Sequence, residues 1–199
     1  MRARDITEIS LFVALAVASG FALLAVPNVE LITLSVFSSG VFLGPRKGAL
    51  AGVLSMFLFT TFNVYGPAPF PLALAQMGAM GLVGAVGGWE RAPLYARIPS
   101  ADGGRSIAGF ALLAVTGVGL TLLYDFVTTV TLAGLMVGTD LTASPGSREG
   151  SNEGFWALVV AGSAFSLVHV ATNGLIFCGV GGSVIRALAH WRRSNRSGG

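Results

Sequence analysis

Two short polar patterns interrupt otherwise apolar stretches of this chain. The first is Tyr124-Asp125, with Thr128 and Thr129 three and four residues beyond the carboxylate and therefore on its face of a helix. The second is Ser166, His169 and Asn173, a polar stripe at helical spacing. A carboxylate, an imidazole, an amide and hydroxyls in apolar surroundings can bind a solute, relay a proton, or lock helices together. Asp125 is the only carboxylate well inside an apolar helix. Facing lipid it would cost at least about 2.5 kcal/mol, so it is expected to face protein or a watery cavity. Gln76, Asn63 and Tyr65 add neutral polar groups at similar height, and Asn28 with Glu30 marks a turn.

Several chemistries lack their residues. Gly44-Pro-Arg-Lys-Gly48 does not have the order of a phosphate-binding loop. Neither a G-x-S-x-G elbow nor an H-E-x-x-H pair occurs. Asp125 reads as alone in its layer, which leaves no paired carboxylates for hydrolysis. One intramembrane histidine without a second histidine or cysteine nearby gives no metal-ligand spacing. The lone cysteine, Cys178, excludes a disulfide framework. The expectation is a protein that is not an enzyme and holds no metal or cofactor of its own.

The elements that must position these residues follow from composition. Hydrophobic residues make up 53% of the 199 and charged residues 11%, against about a quarter charged in soluble domains. A soluble fold could not cover so much apolar surface. The 28 glycines suit closely packed membrane helices. Apolar runs at about 6–26, 29–44, 48–64, 72–89, 106–137 and 155–188 predict an all-α integral membrane protein, a single bundle of six transmembrane helices. A basic loop is expected from Trp89 to about Arg105. The glycine-rich segment 138–154 reads as a mobile cover over a pocket or as an ordinary solvated loop.

Charge placement orients the bundle. With the N-terminus inside, the inner segments hold Arg2, Arg4, Arg46, Lys47, Arg91, Arg97, Arg105, Arg186, Arg192, Arg193 and Arg196, leaving only Arg148 outside. Six spans and this asymmetry both predict an N-in/C-in topology. The same confinement explains the net charge of +3 without nucleic acid, since the basic tail from His190 to Arg196 reads as a membrane-surface anchor. Asp5 and Glu8 fit poorly with the basic start of a cleaved signal peptide. In the first helix Ala14, Ala18 and Ala22 form a small-residue ridge at four-residue spacing, with Ala16 and Gly20 on an adjacent line. Such a ridge serves packing within the chain or docking of a partner.

Order and spacing of several segments resemble the substrate-binding S components of energy-coupling factor (ECF) transporters. These segments are Pro27-Asn28-Val29-Glu30-Leu31-Ile32-Thr33, Gly44-Pro45-Arg46-Lys47-Gly48-Ala49-Leu50, Leu123-Tyr124-Asp125 and His169-Val-Ala-Thr-Asn173, together with the alanine ridge. The resemblance covers nearly the whole chain. It implies a multi-pass protein of the bacterial inner (plasma) membrane that binds a vitamin or related micronutrient from outside. Delivery inward would require a transmembrane coupling subunit and two cytoplasmic ATPase subunits, so ATP would be used by partners. It further implies substrate contacts from Tyr124, Asp125, Thr128, His169 and Asn173, with Gln76 and Asn63, and docking of the coupling subunit at Ala14, Ala18 and Ala22. Three other classes compete: a proton-coupled carrier working alone, a structural membrane subunit, and a membrane enzyme using Asp125 and His169 as an acid–base pair.

Overall fold

The computed structural model describes residues 2–98, 107–138 and 148–197. In chain order the helices are α1 (Ala3–Leu23), α2 (Ile32–Leu43), α3 (Pro45–Thr61), α4 (Phe70–Trp89), α5 (Arg91–Arg97), α6 (Ile107–Gly138), α7 (Arg148–Ile176) and α8 (Gly182–Ser197). A π-helical turn, Phe177–Gly181, joins α7 to α8 without a break in the rod. No strand occurs among the described residues. Four helical stretches are long and apolar enough to cross a membrane: α1, α4, α6, and the continuous run from Asn152 to Trp191. The chain is therefore an all-helical protein of membrane character.

The second apolar run folds as a shorter element than the others. With 12 residues, α2 is about 18 Å long, well under the ~30 Å of a hydrocarbon core. Every residue from Ile32 to Val41 is buried. A helix buried on every side belongs in the centre of a bundle. Phe37 packs against Phe177 with ring centroids 5.3 Å apart and planes tilted by 55°, joining α2 to the π-helical turn.

Glycine sets how closely α2, α3 and α4 approach. A β-carbon added at Gly84 would overlap the Gly48 carbonyl, and one at Gly40 or Gly48 would overlap the Gly84 carbonyl. Three backbones thus meet where no side chain fits, which maximises dispersion contacts where lipid supplies no hydrophobic drive. Gly44, at φ 98°, is the single residue between α2 and α3. Only glycine takes that conformation freely, and Pro45 then starts α3 at a position where its missing N–H costs nothing.

One end of the bundle is basic. Lys47 pairs with Asp5 at 2.6 Å, Arg4 pairs with Glu8, and the Arg91 guanidinium donates to the Val41 and Phe42 carbonyls at the end of α2. Those carbonyls lack intrahelical partners, so a cation there satisfies both the hydrogen bonds and the helix dipole. Phe42 also meets Phe12 of α1 and Trp191 of α8, which brings the beginnings of α1 and α3 and the last turns of α8 to the same end.

Four features differ from the sequence expectation. The first helix stops at Leu23, before Pro27, because the chain turns through Asn28 at φ 59°, a conformation asparagine tolerates. The expected basic loop contains α5, which buries Leu94. The sixth helix extends beyond both predicted ends and carries the π-helical turn, where Phe177 enters the space opposite Gly117. Finally, the backbone is already helical from Arg148, so the expected 138–154 loop is shorter; positions 139–147 lie outside the described residues.

These contacts predict that Gly84→Ala lowers stability by about 1–3 kcal/mol, because the obstacle is backbone and cannot turn aside. Gly78→Ala, where a β-carbon meets nothing within 4 Å, should change it by no more than about 0.5 kcal/mol. Thermal unfolding in detergent reads both, and equal effects of the two substitutions would refute this packing.

Candidate functional site

The turn after α1 delivers a second carboxylate into the bundle. Backbone bonds from Val26 to Leu23 and from Val29 to Val26 close the reversal, and Glu30 follows just ahead of α2. Its Oε2 accepts from the Thr33 backbone N–H at 2.9 Å, so the carboxylate satisfies an orphan donor in the first turn of α2 and meets the positive end of that helix. Its Oε1 accepts from Asn173 Nδ2 of α7 at 2.9 Å. The turn is thereby fastened to a helix 143 residues away in sequence.

Asn173, fully buried, is the hub of the arrangement. Its amide nitrogen also donates to Thr121 Oγ1 of α6 at 3.0 Å, while the Thr121 hydroxyl donates back to the Gly117 carbonyl. The two amide hydrogens are engaged by these nearer acceptors, and His169 Nε2 lies farther off at 3.3 Å. On the other side of the ring, Nδ1 is 2.8 Å from Asp125 Oδ1. A carboxylate only accepts, so Nδ1 carries the hydrogen and Asp125 orients the imidazole. Nε2 then points toward Glu30, with Oε1 3.7 Å away. Glu30, His169 and Asp125 form a chain of carboxylate, imidazole and carboxylate across α6, α7 and the α1–α2 turn.

A cavity of about 220 Å³ lies beneath that turn. Asn28, Glu30, Tyr124 and His169 provide its polar wall; Ile32, Met56, Phe59 and Met80 are among its apolar lining. Gln76 stands beside the Tyr124 hydroxyl. A second crevice of about 150 Å³, between α6 and α7, is lined by Asp125, Thr129, Ser163 and Ser166 with apolar neighbours. Three buried oxygens around the cluster have no hydrogen-bond partner among the described residues: Gln76 Oε1, Asp125 Oδ2 and Asn173 Oδ1. Each can only accept.

The structure brings Tyr124, Asp125, His169, Asn173 and Gln76 together, and it leaves two expected residues aside. Thr128 turns its hydroxyl back onto the Tyr124 and Asp125 carbonyls of its own helix, at 2.9 and 3.2 Å, the usual resort of a threonine inside a helix. Asn63 sits in the α3–α4 connection, where its Oδ1 accepts from the Tyr65 N–H. Ser166 points into the α6–α7 crevice. The reading of Asp125 as a solitary carboxylate is corrected, because Glu30 reaches the same imidazole. Thr121 and Phe59 escaped the sequence reading, and Glu30 was read there as the marker of a turn rather than as a site residue. Only Glu30 left a signal there, as an acidic residue in an apolar stretch with no basic neighbour.

On α1 the alanine ridge faces away from the bundle. Ile9, Val13, Ala16 and Gly20 form the buried face, whereas Ala14, Ala18 and Ala22 are exposed. Among the described residues no group of three or more His, Cys, Asp or Glu side chains is arranged to hold a metal ion. The sequence matches no family of known proteins, no curated protein and no solved structure.

Asn173→Ala should destabilise the protein by about 1–3 kcal/mol, since it strips a buried carboxylate and a buried hydroxyl of their shared donor. Asn63→Ala, in the half-buried link between helices, should stay within about 0.5 kcal/mol. Unfolding in detergent measures both; an unaffected Asn173→Ala protein would show that the hub does not hold the turn.

Proposed function

We propose that the chain is the substrate-specific subunit of an ECF-type importer, which binds a vitamin or related micronutrient from outside and passes it inward with a transmembrane coupling subunit and two cytoplasmic ATPase subunits. The observation that carries this reading is the cavity under the α1–α2 turn, whose polar wall joins three distant segments at Glu30, Tyr124 and His169. Buried charge in a membrane bundle is expensive and is kept where it contacts a solute or moves an ion. A mostly apolar cavity with a few fixed polar groups is the usual form of a small-molecule site. Its size suits a compact ligand.

Topology supports the same reading. In this reading the chain crosses the membrane six times with its basic end in the cytoplasm, so that both termini lie inside and the α1–α2 turn outside. The cavity then opens toward the side from which a nutrient arrives. In the bacterial inner membrane, the short α2 would be shielded from lipid by α1, α3 and α4. The outward ridge of Ala14, Ala18 and Ala22 supplies a face on which another helix can approach closely, and it suits docking of the coupling subunit better than packing within the chain. In this scheme the chain performs no chemistry itself, and ATP is hydrolysed by the partners.

Two sets of variants test the assignment. His169→Ala and Asp125→Ala should each weaken binding of the co-purified small molecule at least about tenfold, the loss expected when a buried charged hydrogen bond is removed, while leaving membrane insertion intact. Ala18→Trp should abolish co-purification with coupling and ATPase subunits and impair uptake, yet spare solute binding. Unchanged affinity in both site variants, or normal uptake by the Ala18→Trp protein, would contradict the assignment.

A further inference from the structure

The charge balance of the cavity specifies what kind of solute it suits. Two carboxylates, Glu30 and Asp125, share one imidazole. Whether His169 carries one proton or two, the ionised pair leaves at least one net negative charge. No Lys or Arg among the described residues forms an ion pair with either carboxylate, and the described basic side chains that do pair with acids stand at the opposite end of the bundle. An uncompensated charge in such surroundings costs several kcal/mol. Around the cluster the orphaned oxygens point the same way: Gln76 Oε1, Asp125 Oδ2 and Asn173 Oδ1 are all acceptors, and Asp125 is only 9% exposed. The cluster has a surplus of acceptors and of negative charge.

We propose that the cavity beneath the α1–α2 turn takes a small ring-bearing organic cation, with its positively charged nitrogen against Glu30 and its ring against Tyr124 and Phe59. This rests on reading the cavity as a solute site. Glu30 lines the cavity directly. Asp125 acts from behind, holding His169 so that Nε2 faces the ligand and adding its own charge to the field. Tyr124 and Phe59 present aromatic surface that attracts a cation through the ring quadrupole. Met56 and Met80 add polarisable thioether walls that adapt to a flat ring. An anionic solute would meet two carboxylates that share a single imidazole, with no Lys or Arg among the described residues paired to either, so carboxylate-bearing micronutrients are disfavoured by the same count.

Three probes sharing one ring test the charge preference: benzylammonium, benzyl alcohol and benzoate, titrated against the full chain in lipid nanodiscs, with empty nanodiscs as the blank. Benzylammonium should bind at least about tenfold more tightly than either of the others, the value of one desolvated cation–π or ionic contact. Glu30→Gln should reduce that preference to about threefold or less. Phe59→Leu, which leaves the hydrogen-bonded cluster untouched, should weaken benzylammonium more than benzyl alcohol, and so guards against a Glu30→Gln protein that fails to fold. Equal affinities, a preference for benzoate, no binding of any probe, or a preference indifferent to both substitutions would overturn the proposal. If the preference is absent while the chain still co-purifies with coupling and ATPase subunits, the cation inference fails and the importer reading stands; if neither is seen, both fail.

Discussion

Two carboxylates held inside an apolar bundle, Asp125 buried and Glu30 half-buried, set the terms for the rest of this structure. Glu30 and Asp125 have to find donors that lipid cannot give, and those donors come from segments far apart in the chain. The first turn of α2 gives the Thr33 N–H, and α7 gives the Asn173 amide and the His169 ring. Because one amide and one imidazole serve both acids, the α1–α2 turn, α6 and α7 cannot shift independently without leaving a charge unpartnered. The polar cluster acts as a fastening and as the wall of a cavity at once. The unused acceptors at its edges are what distinguish it from a fully satisfied structural network.

Holding such a cluster requires a scaffold that does not yield, and glycine supplies it. At Gly40, Gly48 and Gly84 the backbones of α2, α3 and α4 come close enough to exclude a β-carbon. This close packing fixes α2, and with it the start of α2 where Glu30 is anchored. The π-helical turn plays a similar part on the other side, since it lets Phe177 fill the space between Phe37 and Gly117. Rigid packing near the basic end and a cavity near the turn give the bundle two distinct regions. The proposed function puts ligand exchange at the second, where the α1–α2 turn forms the roof of the cavity.

Much of this was legible in the sequence, and the omissions have a physical cause. Period and composition identified the apolar runs, and the helical spacing of Ser166, His169 and Asn173 put His169 and Asn173 on one face, where the structure finds them. Tyr124 and Asp125 were likewise recognisable as polar groups in a span. Glu30 was legible only as the marker of a turn, because its bond to Asn173 spans 143 positions and no local pattern records it. Thr128 misled for the converse reason: spacing places a hydroxyl on a face but does not reveal that it has turned back to its own backbone. The helix α5 was hidden by its brevity and its charges. Exposure of Ala14, Ala18 and Ala22 counts against packing within the chain, one of the readings that the sequence left open, since a ridge so used would be covered.

If Glu30, His169 and Asp125 exist to hold a solute, the unaltered protein should carry one. Native mass spectrometry of the chain extracted gently from its own membranes tests this most directly. A discrete small-molecule adduct is expected on the unaltered protein, and it should disappear when Glu30→Gln and His169→Ala are combined, with the protein still folded. A bare mass for both proteins, or the same adduct at the same occupancy on both, would contradict that role.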